Sequence, residues 1–154
     1  MNDLQPNPAR SVAGSHGRLQ PYLAVSGVID HDHLAIRALA EEVRRPTELE
    51  TIRVAYELVR DRYAHSYDID ATEVSVSASD VIRNGHGICF AKAHLLAAVL
   101  RACGILAGFC YQRFLFDDAH PHRTCLHGFN AVWLNELGRW HRVDARGNRP
   151  GIEG

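Results

Sequence analysis

Apolar positions first recur at helical spacing through Leu34, Ile36, Ala38, Leu39 and Val43. Asp30 to Asp32 supply capping acceptors in front of them and Pro46 forbids continuation, so the pattern predicts a short helix. Thr47 with Glu50 three residues later has the form of a capping box. Leu49, Ile52, Val54, Tyr56 and Val59 then carry a second, amphipathic helix to about Arg62. A polar, β-branched stretch follows to Ser77. Ser79 reads as the cap of one helical turn, Asp80 to Arg83, closed by Asn84-Gly85, with Gly85 and Gly87 making the next turn adaptable. From Ile88 to Cys103 the chain is apolar almost all the way round, interrupted only by Lys92, His94 and Arg101, and Gly104 stops it. A helix without a polar face belongs in the core.

Beyond that helix the period changes. Ile105 to Phe116 is rich in β-branched and aromatic residues, a His-rich loop spans Asp117 to Arg123, and Leu126 to Leu134 and Arg139 to Ala145 read as two strands around the turn Asn135 to Gly138. Helices first and an antiparallel sheet afterwards define an α+β fold, with the sheet packed on the buried helix. Residues 1–20 are expected to be a flexible lead-in and 21–154 a single domain.

Composition narrows the function classes without selecting one. The 154 residues are 46% hydrophobic and 23% charged, with a formal net charge of -1, so there is no basic footprint for nucleic acid and no polybasic stretch for anionic lipid. The longest apolar candidate, Phe90 to Leu106, is broken by charges and falls short of the roughly 18 apolar residues of a spanning segment, so no membrane association is expected. Cys89, Cys103, Cys110 and Cys125 show no secreted spacing and predict free thiols in the cytoplasm. The pattern defines no oligomeric state.

Candidate chemistry begins at Cys89, in the first turn of the most apolar helix. Unpaired N–H groups and the positive helix end favour a thiolate there, and the same N–H groups can donate to an oxyanion. A cysteine alone would be ordinary core packing. The hairpin adds the second half: if Leu134 pairs with Arg139, His127 and Asp144 are diagonal neighbours on one face, and a tighter turn sets them directly opposite. An imidazole between a thiol and a carboxylate is a nucleophile, base and orienting acid.

These residues lie in three motifs: Ser77-Ala-Ser-Asp-Val-Ile-Arg-Asn-Gly-His-Gly-Ile-Cys89 with the helix that follows, Leu126-His127-Gly-Phe-Asn-Ala-Val-Trp133, and Trp140-His-Arg-Val-Asp144. In content and order they resemble the transglutaminase-like superfamily, over roughly Tyr22 to Asn148. The resemblance implies a papain-like core and a thioester-forming Cys89, His127, Asp144 triad acting on a peptide or protein amide, hydrolysis being favoured over crosslinking, with no metal and no organic cofactor. Two departures stand out. Phe90 follows the cysteine where many similar proteins have a small residue, and the chain stops ten residues after Asp144 where they continue. The glutamine that papain-like enzymes often place six residues before the cysteine is Arg83 here, which leaves the Cys89 N–H as one oxyanion donor and the second unassigned; Asn130 and Trp133 are the nearest guesses. Two other readings compete. One is a non-catalytic peptide-binding or scaffold module of the same fold. The other is a metal site among His120, His122, Cys125 and His127, or His31 and His33, against which stands the lack of CxxC or HExxH spacing.

Overall fold

The computed structural model describes residues 19–115 and 122–147. All but the last two residues of the expected lead-in and most of the His-rich loop, His120 included, lie outside the described residues. Among the described residues four α-helices precede the main sheet: α1 (Leu34–Val43), α2 (Glu48–Arg62), α3 (Ala78–Asn84) and α4 (Cys89–Ala102). Three strands follow, β3 (Ala107–Leu115), β4 (Thr124–Leu134) and β5 (Arg139–Val143), antiparallel with β4 central. The architecture is α+β.

Each helix starts for a local reason. Helix α1 is capped by His33, whose Nδ1 accepts from the Ala35 N–H at 3.2 Å, and it buries Ile36, Leu39, Ala40 and Val43. The expected aspartate caps do not form: Asp30 instead accepts from the Ser79 N–H at 3.2 Å and so ties α3 to the chain before α1. At α2 the Thr47 hydroxyl accepts from the Glu50 N–H at 3.2 Å and donates to the Glu50 carboxylate at 2.8 Å. Helix α3 is longer than its sequence suggested and begins at Ala78, because Ser77 rather than Ser79 is its cap; Asp80 completes a reciprocal capping box, and Gly85 closes the helix at φ +78°.

A small parallel pair, β1 (Ala64–His65) and β2 (His86–Gly87), was not legible in the polar stretch before Ser77, because two-residue strands have no period to detect. It also corrects the expectation of an adaptable turn. A Cβ on Gly87 would lie 2.9 Å from the Ala91 Cβ and 3.1 Å from a Val81 methyl, so Gly87 is a close-packing glycine that presses α3 onto α4.

Helix α4 runs through the middle of the molecule, with Leu95, Leu96, Ala97, Ala98, Val99 and Leu100 wholly enclosed. Each of those leucines contributes about 1.5–3 kcal/mol of burial. Helices α1, α2 and α3 cover one side and the sheet the other. The strand alternation on β4 is regular: Gly128, Asn130 and Val132 are buried toward α4. Asn130 Nδ2 donates to the Ala93 and Gly108 carbonyls at 3.0 and 3.3 Å, fastening helix to sheet.

Candidate active site

Cys89 is the first residue of α4 and is half-buried. The residue before it, Ile88, is extended, and no side chain caps the helix. The first N–H groups of α4 are therefore left for other acceptors, which is the local condition for stabilising negative charge at this end. Its rigidity comes from Gly87 on one side and Phe90 on the other. Phe90 lies flat over Gly128, where any Cβ would come within 2.7 Å of the ring, and tilts against Tyr111 at 6.0 Å. The bulky residue after the cysteine is thus accommodated by a glycine directly after His127, and this contact brings the start of α4 against β4.

His127 stands on the face of β4 opposite Gly128. Leu134 pairs with Arg139 and Asn130 with Val143, the register that makes His127 and Asp144 diagonal neighbours. Asp144, just past the end of β5, accepts from His127 Nε2 at 2.6 Å. That bond engages Nε2 and leaves Nδ1 as the ring nitrogen for a partner other than Asp144. Phe114 and Phe129 flank the imidazole at 5.5 and 5.9 Å, the latter stacked on it, and only 12% of the His127 side chain is exposed, against 46% for Asp144. Oδ1 of Asp144 accepts from the Arg146 N–H at 3.0 Å, so both carboxylate oxygens are held. Gln112 pairs directly with His127 across the β3–β4 ladder and, with Phe129, Arg142, Val143 and Asp144, lines a cavity of about 400 Å³.

The other candidates lie elsewhere. Trp133 packs on Trp140 at 5.6 Å, and Asn130 is fully buried in its structural role. Arg83 is tied to Asp80 at 2.5 Å on the surface, and Cys103 is a core thiol that burial pushes upward. Cys125 faces Phe114 on the neighbouring strand. His31 has a structural place, its Nε2 donating to the Leu23 carbonyl at 3.1 Å. Among the described residues no group of three or more His, Cys, Asp or Glu is arranged to hold a metal ion.

Sequence reasoning missed two residues near the site and set a third aside. Gln112 was weighed as a second oxyanion donor and left unplaced, because its position needs the β3–β4 register, which no tight turn fixes. His65 is buried beside the Ser66–Asp68 turn, and burial, with Arg146 next, pulls it down to about 4. Lys92 was noted only as an interruption of an apolar helix, and that interruption, one turn after Cys89, was the signal.

The chain belongs to the transglutaminase-like superfamily, whose model matches residues 37–145. A solved structure described as a putative cysteine protease from Cytophaga hutchinsonii is 22% identical with a TM-score of 0.67, over 84% of this chain and 42% of that one. The periplasmic domain of TgpA from Pseudomonas aeruginosa is 21% identical with a TM-score of 0.61, over 84% of this chain and 47% of that one. The same domain bound to ethylmercury matches at 0.58, with 49% of it covered. These chains share the fold, and this chain spans less than half the length of each. No curated protein matches the sequence. Among the described residues no helix is long and apolar enough to cross a membrane.

Proposed function

We propose that this protein is a thiol acyltransferase that cleaves a peptide or protein amide through a thioester on Cys89, with hydrolysis as the usual outcome. The observation that carries the reading is the 2.6 Å bond from His127 Nε2 to Asp144, on a strand whose next residue, Gly128, touches the residue after Cys89. In the proposed cycle Nδ1 of His127 takes the Cys89 thiol proton, Sγ attacks the amide carbonyl, and the uncapped N–H at the start of α4 receives the oxyanion. His127 returns the proton to the leaving amine as the carbon–nitrogen bond breaks. Water then attacks the thioester, giving its proton to His127, and the acid departs as the thiol re-forms. Asp144 holds the ring orientation and stabilises the imidazolium at both steps. Water reaches the half-exposed Asp144 side of the site, which supports hydrolysis over transfer to an amine. All four cysteines are free thiols, which supports a reducing, cytoplasmic setting, and fractionation of the native host cells checks it.

Limited iodoacetamide treatment followed by mass mapping tests the nucleophile. Cys89 is expected to be labelled before Cys103, Cys110 and Cys125. On any amide cleaved by the wild type, Cys89→Ala is expected to lose at least about a thousandfold in kcat/KM with an unchanged melting curve. Equal labelling of all four thiols, or turnover surviving in Cys89→Ala, would sink the assignment.

A further inference from the structure

One turn beyond Cys89, α4 carries Lys92, which is 1% exposed and the largest fully enclosed side chain among the described residues. Its Nζ donates to three backbone carbonyls: Arg60 at 3.1 Å, Tyr63 at 2.5 Å and Arg146 at 3.0 Å. Three acceptors match the three protons of an ammonium. The first two lie at the C-terminal end of α2, where helix carbonyls lack partners and a cation is favoured. The third lies two residues past Asp144. From there the bonds continue without a gap, since the Arg146 N–H donates to Asp144 Oδ1 at 3.0 Å and Asp144 Oδ2 meets His127 Nε2 at 2.6 Å. Arg146 is also held at its far end, with its guanidinium bidentate on Asp68 at 2.7 and 2.8 Å.

The neighbouring glycine fits the same purpose. Gly147 sits at φ +100°, and a Cβ there would lie 2.9 Å from the Arg60 carbonyl oxygen and 3.1 Å from Lys92 Nζ. The chain passes over the ammonium only because that position has no side chain.

We propose that Lys92 is a positioning residue for acyl transfer: its ammonium clamps the turn that carries Asp144 to the helix that carries Cys89, and so fixes the carboxylate that orients His127. The inference rests on the reading of Cys89, His127 and Asp144 as one site. A leucine or methionine would fill the same space, whereas a buried ammonium costs several kcal/mol of desolvation unless charge-assisted bonds offset it. Burial, and then Arg146, pushes Lys92 down to about 8, so the clamp is charged at neutral pH. The charged and titratable groups around it are Asp61 at the end of α2, Asp68, Asp144 and Arg146, with His65 on β1 held neutral down to about pH 4.

The test is the pH profile of Cys89 alkylation by iodoacetamide on the whole chain, for wild type, Lys92→Met, Gly147→Ala, Asp144→Asn and the Lys92→Met/Asp144→Asn double variant. Lys92→Met is expected to slow alkylation at pH 7 about tenfold, as loss of a supporting partner does at other sites, and to move the profile to higher pH. It should add nothing in the Asp144→Asn background, since both changes break one chain of bonds. Gly147→Ala leaves the lysine in place and is expected to give a smaller slowing in the same direction. A folded Lys92→Met with the wild-type profile, or effects that add fully to those of Asp144→Asn, would overturn the clamp alone. If Lys92→Met does not fold, a wild-type profile for Gly147→Ala overturns it instead. A wild-type Cys89 no faster than Cys103 would overturn the site reading, and the clamp with it.

Discussion

Helices α3 and α4 begin eleven positions apart in the chain, at Ala78 and Cys89, and their first turns are built in opposite ways. At α3 the Ser77 hydroxyl accepts from the Asp80 N–H at 3.1 Å while the Asp80 carboxylate accepts from the Ser77 N–H at 2.9 Å. Asp80 is pulled down to about 2 by the Ser77 backbone and hydroxyl first, and by Val76 and Arg83 after burial is set against them. At α4 the corresponding position is Ile88, which offers no acceptor. A seven-residue helix has little burial of its own and depends on its cap. The fourteen-residue core helix is held by packing along its whole length, so its first turn is free for chemistry. The difference teaches that the open end of α4 is tolerated because the stability of that helix comes from elsewhere.

The link between the two helices is where the largest effect is expected. Gly87 pairs with His65 across β1 and β2, and burial holds His65 neutral down to about pH 4 against an ordinary 6.5. Between those values the unfolded chain binds a proton that the folded chain refuses, so stability is present above pH 6.5 and lost as the pH falls toward 4. The loss is on the order of 3 kcal/mol. Urea titrations at pH 7 and pH 4.5 measure it, and His65→Gln is expected to flatten that part of the pH dependence.

Next in size is the change that makes the start of α4 resemble that of α3. Ile88→Asp supplies the missing cap and sets a carboxylate beside the sulfur. Alkylation of Cys89 at pH 7 is expected to slow roughly tenfold while the melting temperature holds or rises. Faster alkylation in this variant would show that the open helix end does not activate the thiol. The smallest effect is the converse change at α3. Ser77→Ala is expected to cost about 1 kcal/mol in denaturant unfolding and to leave the Cys89 alkylation rate unaltered.

Periodicity alone located α1, α2, α4 and the three strands of the main sheet, because an apolar stripe or an alternation is a local property that the sequence writes directly. The same is true of half the site. A short turn between β4 and β5 permits only registers that set His127 beside Asp144, and the residue at the start of the core helix is Cys89 in any reading. Other details were misplaced by local logic. Ser77 and Ser79 before Asp80 each look like a cap, and only the contacts with Asp30 and Val28 select Ser77.

What only the tertiary structure decided is convergence. Nothing local links Lys92 to carbonyls 32, 29 and 54 residues away, makes Gly128 a seat for Phe90, or sets Gln112 opposite His127. Backbone carbonyls carry no residue identity, so a side chain that binds them leaves no partner to find in the sequence. The core helix reads as apolar in one dimension, and its most deeply enclosed charge, Lys92, gains a purpose only when the end of α2 and the turn after β5 close around it.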